Sequence, residues 1–525
     1  MENLHFKILV LAISHFLLIS TSYSQPNLNN LFQCLYNDSS LSSSNVVYVP
    51  LNSNSSYSSL LESTIRNNRF LTSATPKPVA IVKPSNYNQI QATVKCCKIH
   101  GVQIRIRSGG HDYEGLSYTT RLAPFVVIDL QSLNSVNVSL EDNSAWVQSG
   151  ATLGEVYYAI TQKSANRAFS AGICNTVGVG GHLSGGGYGT ISRKYGLSAD
   201  NVVDAVVINA DGQILDRKSM GEDLFWAIRG GGGSSFGIIL SWKIKLSEVP
   251  SVVTVFRVAR TLAQGGTDLV QKWQTIGKNF TKDLFMRLVI EVIAEGNSKT
   301  IRIKFETLYL GKIDQLLAIL NTNFPELGLK REDCTETSWI KSILFFGNRN
   351  MDDFDQLKNR VPDARRFFKA TSDYVKQPLS KSALEMLWKW CVEGQNPILI
   401  FEPYGGIMDE IPTGNLPFPY RKGTLYNIQY LIQWDNVSES DVHINWIRKL
   451  YGNMTPFVSK GPRGAYLNYR DLDFGVNKVS GGTPYSEAEQ WGSKYFGANF
   501  RRLAMVKKKV DPQNFFRDEQ SIPPF

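Results

Sequence analysis

Three glycine-rich loops lie in the first half of the chain, and they restrict its fold more than any other feature. Ser108-Gly109-Gly110-His111-Asp112-Tyr113-Glu114-Gly115 follows a strand-like run. Gly178-Val179-Gly180-Gly181-His182-Leu183-Ser184-Gly185-Gly186-Gly187-Tyr188-Gly189 is the longest, and Gly230-Gly231-Gly232-Gly233 follows a helical stretch from Asp223 to Arg229. Glycine tolerates positive φ and lets backbone N–H groups close on an anion with no Cβ in the way. One such loop is an ordinary tight turn; three in one region predict a cradle for a large phosphate-bearing cofactor. None completes GxGxxG or a P-loop, which argues against Rossmann and nucleotide-triphosphatase chemistry. Gly233-Ser234-Ser235-Phe236-Gly237 does match GxSxG, but that motif needs a helix after the serine. Ile238 to Leu246 reads as a strand, so a hydrolase is set aside.

At 525 residues the chain exceeds what one hydrophobic core fills, so two large domains are expected. Tyr87 to His100 reads as a helix. It feeds Val102 to Arg107, an alternating half-buried strand that runs into the first glycine loop. Strands are also predicted at Phe125 to Leu130, Ala145 to Gln148 and Leu240 to Leu246, with a helix from Leu153 to Lys163. Asp211-Gly212 between apolar runs signals a hairpin. After Pro250 longer strands such as Thr300 to Tyr309 alternate with helices such as Lys312 to Asn321, and one helix is predicted from Ser486 to Val510.

The N-terminus reads as a signal peptide over residues 1–24. Lys7 gives a weak positive region, Ile8 to Ile13 and Phe16 to Ile19 are apolar, and Ser22 and Ser24 precede cleavage before Gln25. The run is too short for a transmembrane anchor, and His15 interrupts it. Entry to the secretory pathway makes disulfides and N-glycans expected, with sequons at Asn37, Asn54, Asn137, Asn279, Asn436 and Asn453. The destination is the extracellular space or apoplast, a vacuole, or a vesicle derived from the endoplasmic reticulum. The formal charge is +10, but Lys and Arg are scattered, which argues against nucleic-acid binding. Lys507-Lys508-Lys509 is expected to be a solvated helix face. The six cysteines form no paired CxxC knuckles, and HExxH is absent, so a metal site is not expected. Taken alone, His111 and His182 read as loop hydrogen-bonders and Cys174 as a small buried hydrophobe.

Two longer segments change that reading. Arg107 to Gly115, and Cys174-Asn175-Thr176-Val177 running into Gly178 to His182, resemble the signature of the berberine bridge enzyme-like family. Gly221 to Gly230, Phe401-Glu402-Pro403-Tyr404-Gly405-Gly406, Tyr466 to Asp473 and Glu519 to Pro524 are similar as well, so the likeness runs from about Phe32 to the last residue. The resemblance implies an α+β fold of the kind shared with vanillyl alcohol oxidase: a PCMH-type FAD domain and an antiparallel-sheet substrate domain. Residues 25–250 would form the FAD domain, 251–460 the substrate domain, and 461–525 a return to the first. It further implies bicovalent FAD, with His111 bonding the flavin 8α position and Cys174 the 6 position. Arg107, Ser108, Gly109, Gly110, Asp112, Ser117, Gly180, Gly181, His182, Gly186 and Gly187 would surround the cofactor. Val177 falls where family oxidases leave oxygen room to reach the flavin. A Cys34–Cys96 disulfide is implied, leaving Cys97 unpaired.

For catalysis the resemblance points to Tyr113 and Tyr188 as pocket tyrosines and to Tyr469 as a base toward a substrate hydroxyl. A tyrosine needs a nearby cation or dipole to lower its pKa from near 10 for that work. Relatives with a carboxylate base carry an acid in the strand matching Tyr426 to Tyr430, where this chain has Asn427 and Gln429, and Val289 stands where cannabinoid cyclases carry a histidine. Tyr426, Tyr430 and Tyr466 are as well explained by core packing. The expected activity is two-electron oxidation of a specialised metabolite such as an alkaloid or phenolic, with oxygen as acceptor and cyclisation as a further step. The partners are a small molecule and oxygen, and the chain is expected to act as a monomer. Alternatives are a carbohydrate or alcohol oxidase, and a flavin scaffold that templates a non-redox cyclisation.

Overall fold

In a computed structural model, which describes residues 27–525 apart from 44, 51–54, 123, 362–363 and 480–481, the chain folds as α+β around three principal sheets. The expected leader and the sequon at Asn54 lie outside the described residues. The first sheet orders Val47–Tyr48, Ala80–Val82, Phe125–Asp129 and Gln103–Arg107, with the last three parallel. A parallel pair needs a crossover, and the Tyr87–Ile99 helix, capped by the Asn86 side chain, lies between two of its strands in sequence. Phe125–Asp129 is buried throughout, as a central strand covered on both faces must be.

The second sheet is antiparallel and orders Val136–Ser139, Ser144–Gln148, Ile238–Lys245, Val202–Ile208 and Ile214–Leu215. Its last pair turns through Asp211-Gly212, where the hairpin was predicted. Ile238–Lys245 is a strand, so the GxSxG serine has no helix behind it. The Leu28–Asn37 helix is joined to Tyr87–Ile99 by the Cys34–Cys96 disulfide, while Cys97 is buried and free.

The third sheet holds seven antiparallel strands in the order Cys334–Thr337, Val253–Thr261, Ser298–Tyr309, Leu284–Glu295, Ile398–Pro403, Tyr426–Trp434 and Phe367–Val375. Successive side chains of a strand point to opposite faces. Leu284, Met286, Leu288, Leu399, Phe401, Tyr426, Ile428 and Tyr430 therefore share one face. They form an apolar core with Trp273, Leu316, Leu387 and Ile447 from the covering helices. The alternate residues Phe285, Arg287, Ile400, Glu402 and Gln429 face the other way, toward the glycine loops. Tyr426 and Tyr430 are thus core residues.

Two expectations about the C-terminal region are corrected. The predicted single helix is two, Tyr485–Phe496 and Asn499–Val510, separated at Gly497, whose φ is +52°. The break turns Phe500 back onto Gly492, where a Cβ would lie 2.3 Å from the ring. Lys507 is not solvated. Its ammonium is buried, donating to the Ser235 and Phe516 carbonyls and to Asp511 at 2.6 to 2.7 Å, while Lys508 and Lys509 are exposed. Among the described residues no helix is long and apolar enough to cross a membrane.

Candidate active site

The first two glycine loops, the seven-stranded sheet and the segment around Tyr466 to Arg470 enclose a cavity of about 480 Å³. The loops meet at backbone level. A Cβ on Gly109 would stand 2.3 Å from the Gly178 nitrogen, and one on Gly178 2.2 Å from the Gly109 nitrogen, so only glycine permits this approach. Ser108 pins the junction, donating from Oγ to the Ser149 carbonyl at 2.5 Å and accepting from the Gly180 N–H at 3.3 Å.

That junction brings His111 and Cys174 to one point. His111 Nε2 lies 2.9 Å from the Thr176 hydroxyl, and Cys174 Sγ lies 3.5 Å from the same oxygen. Burial, reinforced by Arg66, holds the His111 imidazole down to about 3, so the ring is neutral with a lone pair at ordinary pH. Cys174, by default a buried hydrophobe, is instead exposed on the cavity wall. His182 lines the cavity and accepts the Gly172 N–H at Nε2 (3.2 Å), and burial lowers it to about 4.

Gly109, Gly110, Asp112, Ser117, Val177, Gly180 and Gly181 also reach the cavity. Three predicted residues do not. Arg107 is fully buried against Asp129 (2.7 Å) and the Leu60 and Leu61 carbonyls, tying the strand before the loop to its neighbours. Gly186 and Gly187 lie behind the wall, where the Gly187 N–H donates to the Tyr466 hydroxyl at 2.9 Å. Tyr466 thereby serves the loop backbone, accepting also from the Tyr188 N–H and from Asn468.

The candidate catalytic residues separate similarly. Tyr113 and Tyr469 stack with centroids 5.6 Å apart and planes within 4°, and Gln429 donates to the Tyr113 hydroxyl at 2.6 Å. Tyr188 stacks on Tyr404 and donates to the Pro403 carbonyl. Asn427 stays out of the cavity, its amide donating to the Asp373 carbonyl at 3.0 Å. The lowered tyrosine pKa that a phenolate base needs is not what these surroundings produce. Burial raises Tyr113, Tyr188 and Tyr469, with Glu402 adding to the rise at Tyr188 and Tyr469. Arg287, the cation that opposes the rise at Tyr469, is engaged with Glu306 at 2.7 Å and Glu402 at 3.4 Å.

The cavity suits a phosphate-bearing cofactor on its own evidence. Buried polar atoms are nearly always hydrogen-bonded. Yet Ser117 Oγ, Ser149 Oγ, Arg105 Nε and Arg470 Nη1 have no partner among the described residues, and all four residues line this cavity. A Cβ at Gly181 would meet nothing within 4 Å, so the loop leaves open space there. Arg105, Ser149, Arg287, Glu402 and Arg470 were not identified from sequence. For Arg105, Arg287 and Glu402 the available signal was a charged residue in an otherwise apolar, alternating strand.

Comparison with known proteins agrees with the geometry. A family model described as an FAD binding domain matches residues 78–217, and one described as berberine and berberine like matches 465–523. The chain is 51% identical to a tetrahydroberberine oxidase of Berberis wilsoniae, covering 98% of this chain and 97% of that one. It is 49% identical to an O-acetylstemmadenine oxidase of Catharanthus roseus, covering 98% of each. Among solved structures, the grass pollen allergen Phl p 4, a glucose dehydrogenase, superimposes with a TM-score of 0.90 at 43% identity, covering 94% of this chain and 99% of that one. A Phl p 4 variant with one isoleucine changed to valine is described as a glucose oxidase. With FAD-binding and berberine-like models at its two ends and relatives of this identity along its length, the chain belongs to the berberine bridge enzyme-like family of FAD-dependent oxidoreductases.

Proposed function

We propose that the chain oxidises a plant specialised metabolite, an alkaloid or phenolic, by two electrons and returns them to oxygen as hydrogen peroxide. The carrying observation is the chemistry of the cavity beyond His111 and Cys174. Tyr113, Tyr188, Phe285, Ile400 and Tyr469 wall it with rings and apolar surface. Such walls suit a flat fused-ring molecule better than a polyol. The two alkaloid-named oxidases among the relatives support the same class.

FAD supplies the hydride acceptor when bound. His111 and Cys174 would tether it from two loops; the neutral imidazole keeps the lone pair that a bond to carbon requires, and both residues line the one cavity. Arg105, Arg470, Ser117 and Ser149, with unpartnered polar atoms on the cavity, would hold its polar groups. Val177, three residues beyond Cys174 and lining the same wall, is small enough to leave oxygen a path, in keeping with the isoleucine-to-valine oxidase variant of Phl p 4. Tyr113, held by Gln429, and Tyr469, stacked on it, shape the substrate face as protonated phenols. A pocket without a ready phenolate favours oxidation at a C–H beside nitrogen, which needs no hydroxyl proton removed.

A second reading, sugar or alcohol oxidation, draws support from the polar strip of Arg287, Glu402 and Gln429 and from the glucose activity of Phl p 4. The secretory route remains part of the proposal. It is supported by the Cys34–Cys96 disulfide and by exposed sequon asparagines at 37, 137, 279 and 436. Asn453 is half-buried.

The test is the absorbance of purified protein before and after acid precipitation, then anaerobic mixing with alkaloids, phenolics and sugars. Yellow colour is expected to stay with the pellet and to bleach with an alkaloid or phenolic. Colour released to the supernatant overturns the two tethers. Bleaching by sugars alone selects the second reading, and no bleaching by any compound selects a scaffold. Replacing Val177 with isoleucine is expected to slow reoxidation by oxygen at least tenfold, while reduction by substrate changes little.

A further inference from the structure

Glu402 is the one carboxylate that the seven-stranded sheet turns into the cavity, and it is only 8% exposed. Strand alternation fixes its direction. Leu399 and Phe401 enter the helix-covered core, so Ile400 and Glu402 face the glycine loops. One oxygen, Oε1, accepts a single long contact from Arg287 Nη1 at 3.4 Å. The other, Oε2, accepts no hydrogen bond from the described residues.

Arg287 is committed elsewhere. Its Nε and Nη2 donate to Glu306 Oε2 at 2.9 and 2.7 Å, and Glu306 takes a further bond from Arg257 at 2.5 Å. Glu402 is therefore a buried anion with weak compensation, a costly arrangement unless something completes it. Burial raises its carboxyl pKa, Arg287 opposes the rise and Glu306 adds to it. Tyr188 and Tyr469 line the same cavity, and the Glu402 charge adds to the raised pKa of both. A carboxylate sharing a cavity with aromatic side chains suits a substituted ammonium.

We propose that Glu402 is a substrate-recognition residue for a protonated amine, which narrows the substrate class to molecules with a basic nitrogen beside the oxidised carbon. This rests on reading the cavity as a substrate site for oxidation. Glu402 also prepares the nitrogen. The ammonium N–H bond breaks, its electron pair stays on nitrogen, and the proton forms an O–H bond on Glu402. The freed lone pair is what C–N oxidation requires.

The experiment measures equilibrium binding to the flavin-loaded enzyme of two probes of equal shape, benzyltrimethylammonium and its uncharged carbon analogue, neopentylbenzene. The native enzyme is expected to prefer the cation by roughly tenfold. Glu402→Gln is expected to abolish the preference while leaving neopentylbenzene affinity within twofold, and Glu402→Asp, which keeps the charge, to retain part of it. Flavin absorbance and the neutral probe report whether each variant is intact. The proposal is overturned if the native enzyme shows no preference, or if Glu402→Gln keeps it. A preference that depends on Glu402, in an enzyme whose flavin no compound bleaches, sustains the recognition site and removes the oxidase reading instead.

Discussion

At the scale of single residues, the site depends on atoms that are missing. A methyl on Gly109 or Gly178 collides with the opposing loop's backbone, whereas one on Gly181 meets open cavity. Gly109→Ala and Gly178→Ala are therefore expected to lose flavin and to unfold at lower temperature. Gly181→Ala is expected to fold as the native chain does, and its flavin-to-protein absorbance ratio reports whether the cofactor occupies that space. His182 sets a pH limit. Its folded-state pKa is near 4 against an ordinary 6.5, so between those values the unfolded chain binds a proton that the folded ring refuses. Stability falls as pH drops through that window, by up to about 1.4 kcal/mol per pH unit for one proton. His182→Asn is expected to shallow the slope of urea-derived stability against pH. His111, Cys174 and Val177 were singled out by the family resemblance, where composition alone read His111 as a loop hydrogen-bonder and Cys174 as a buried hydrophobe, and all three line the cavity. Glu402 and Arg287 were not, because the sheet's packing alone decides which of two alternating faces a strand residue joins.

Elements show the same division. The Leu153–Lys163 helix matches its predicted boundaries, and the structure shows a capping box of Thr152 and Glu155 at its start, a feature local in sequence. The split between Tyr485–Phe496 and Asn499–Val510 was not predicted, since both halves carry helical periodicity and only the packing of Phe500 on Gly492 calls for a turn. Gly497→Ala would place a Cβ residue at φ +52°, a conformation costing about 1–2 kcal/mol for an L-residue. The expected result is a matching shift of the denaturation midpoint, read by circular dichroism, with flavin content unchanged.

Over the whole molecule, the site is tied together by Lys369. Its buried ammonium, on the seven-stranded sheet, bonds Glu114 in the first glycine loop and Asp471 in the C-terminal segment, each at 2.5 Å, with Asp473 at 3.4 Å. Lys369→Met strands two buried carboxylates and is expected to cost about 3–5 kcal/mol in urea unfolding. Such long-range pairs were invisible to local pattern, which gave the fold class through resemblance and the strands through alternation. The same reach has a consequence for how the protein is made. Asp112 is held by Arg470, 358 residues further along the chain, at 3.0 Å. At about 5–20 residues per second the ribosome needs roughly 20 to 70 s to supply that partner. Throughout that interval the loop bearing His111 stands without its closing wall, so stable flavin capture is expected only after the chain's last hundred residues have been made.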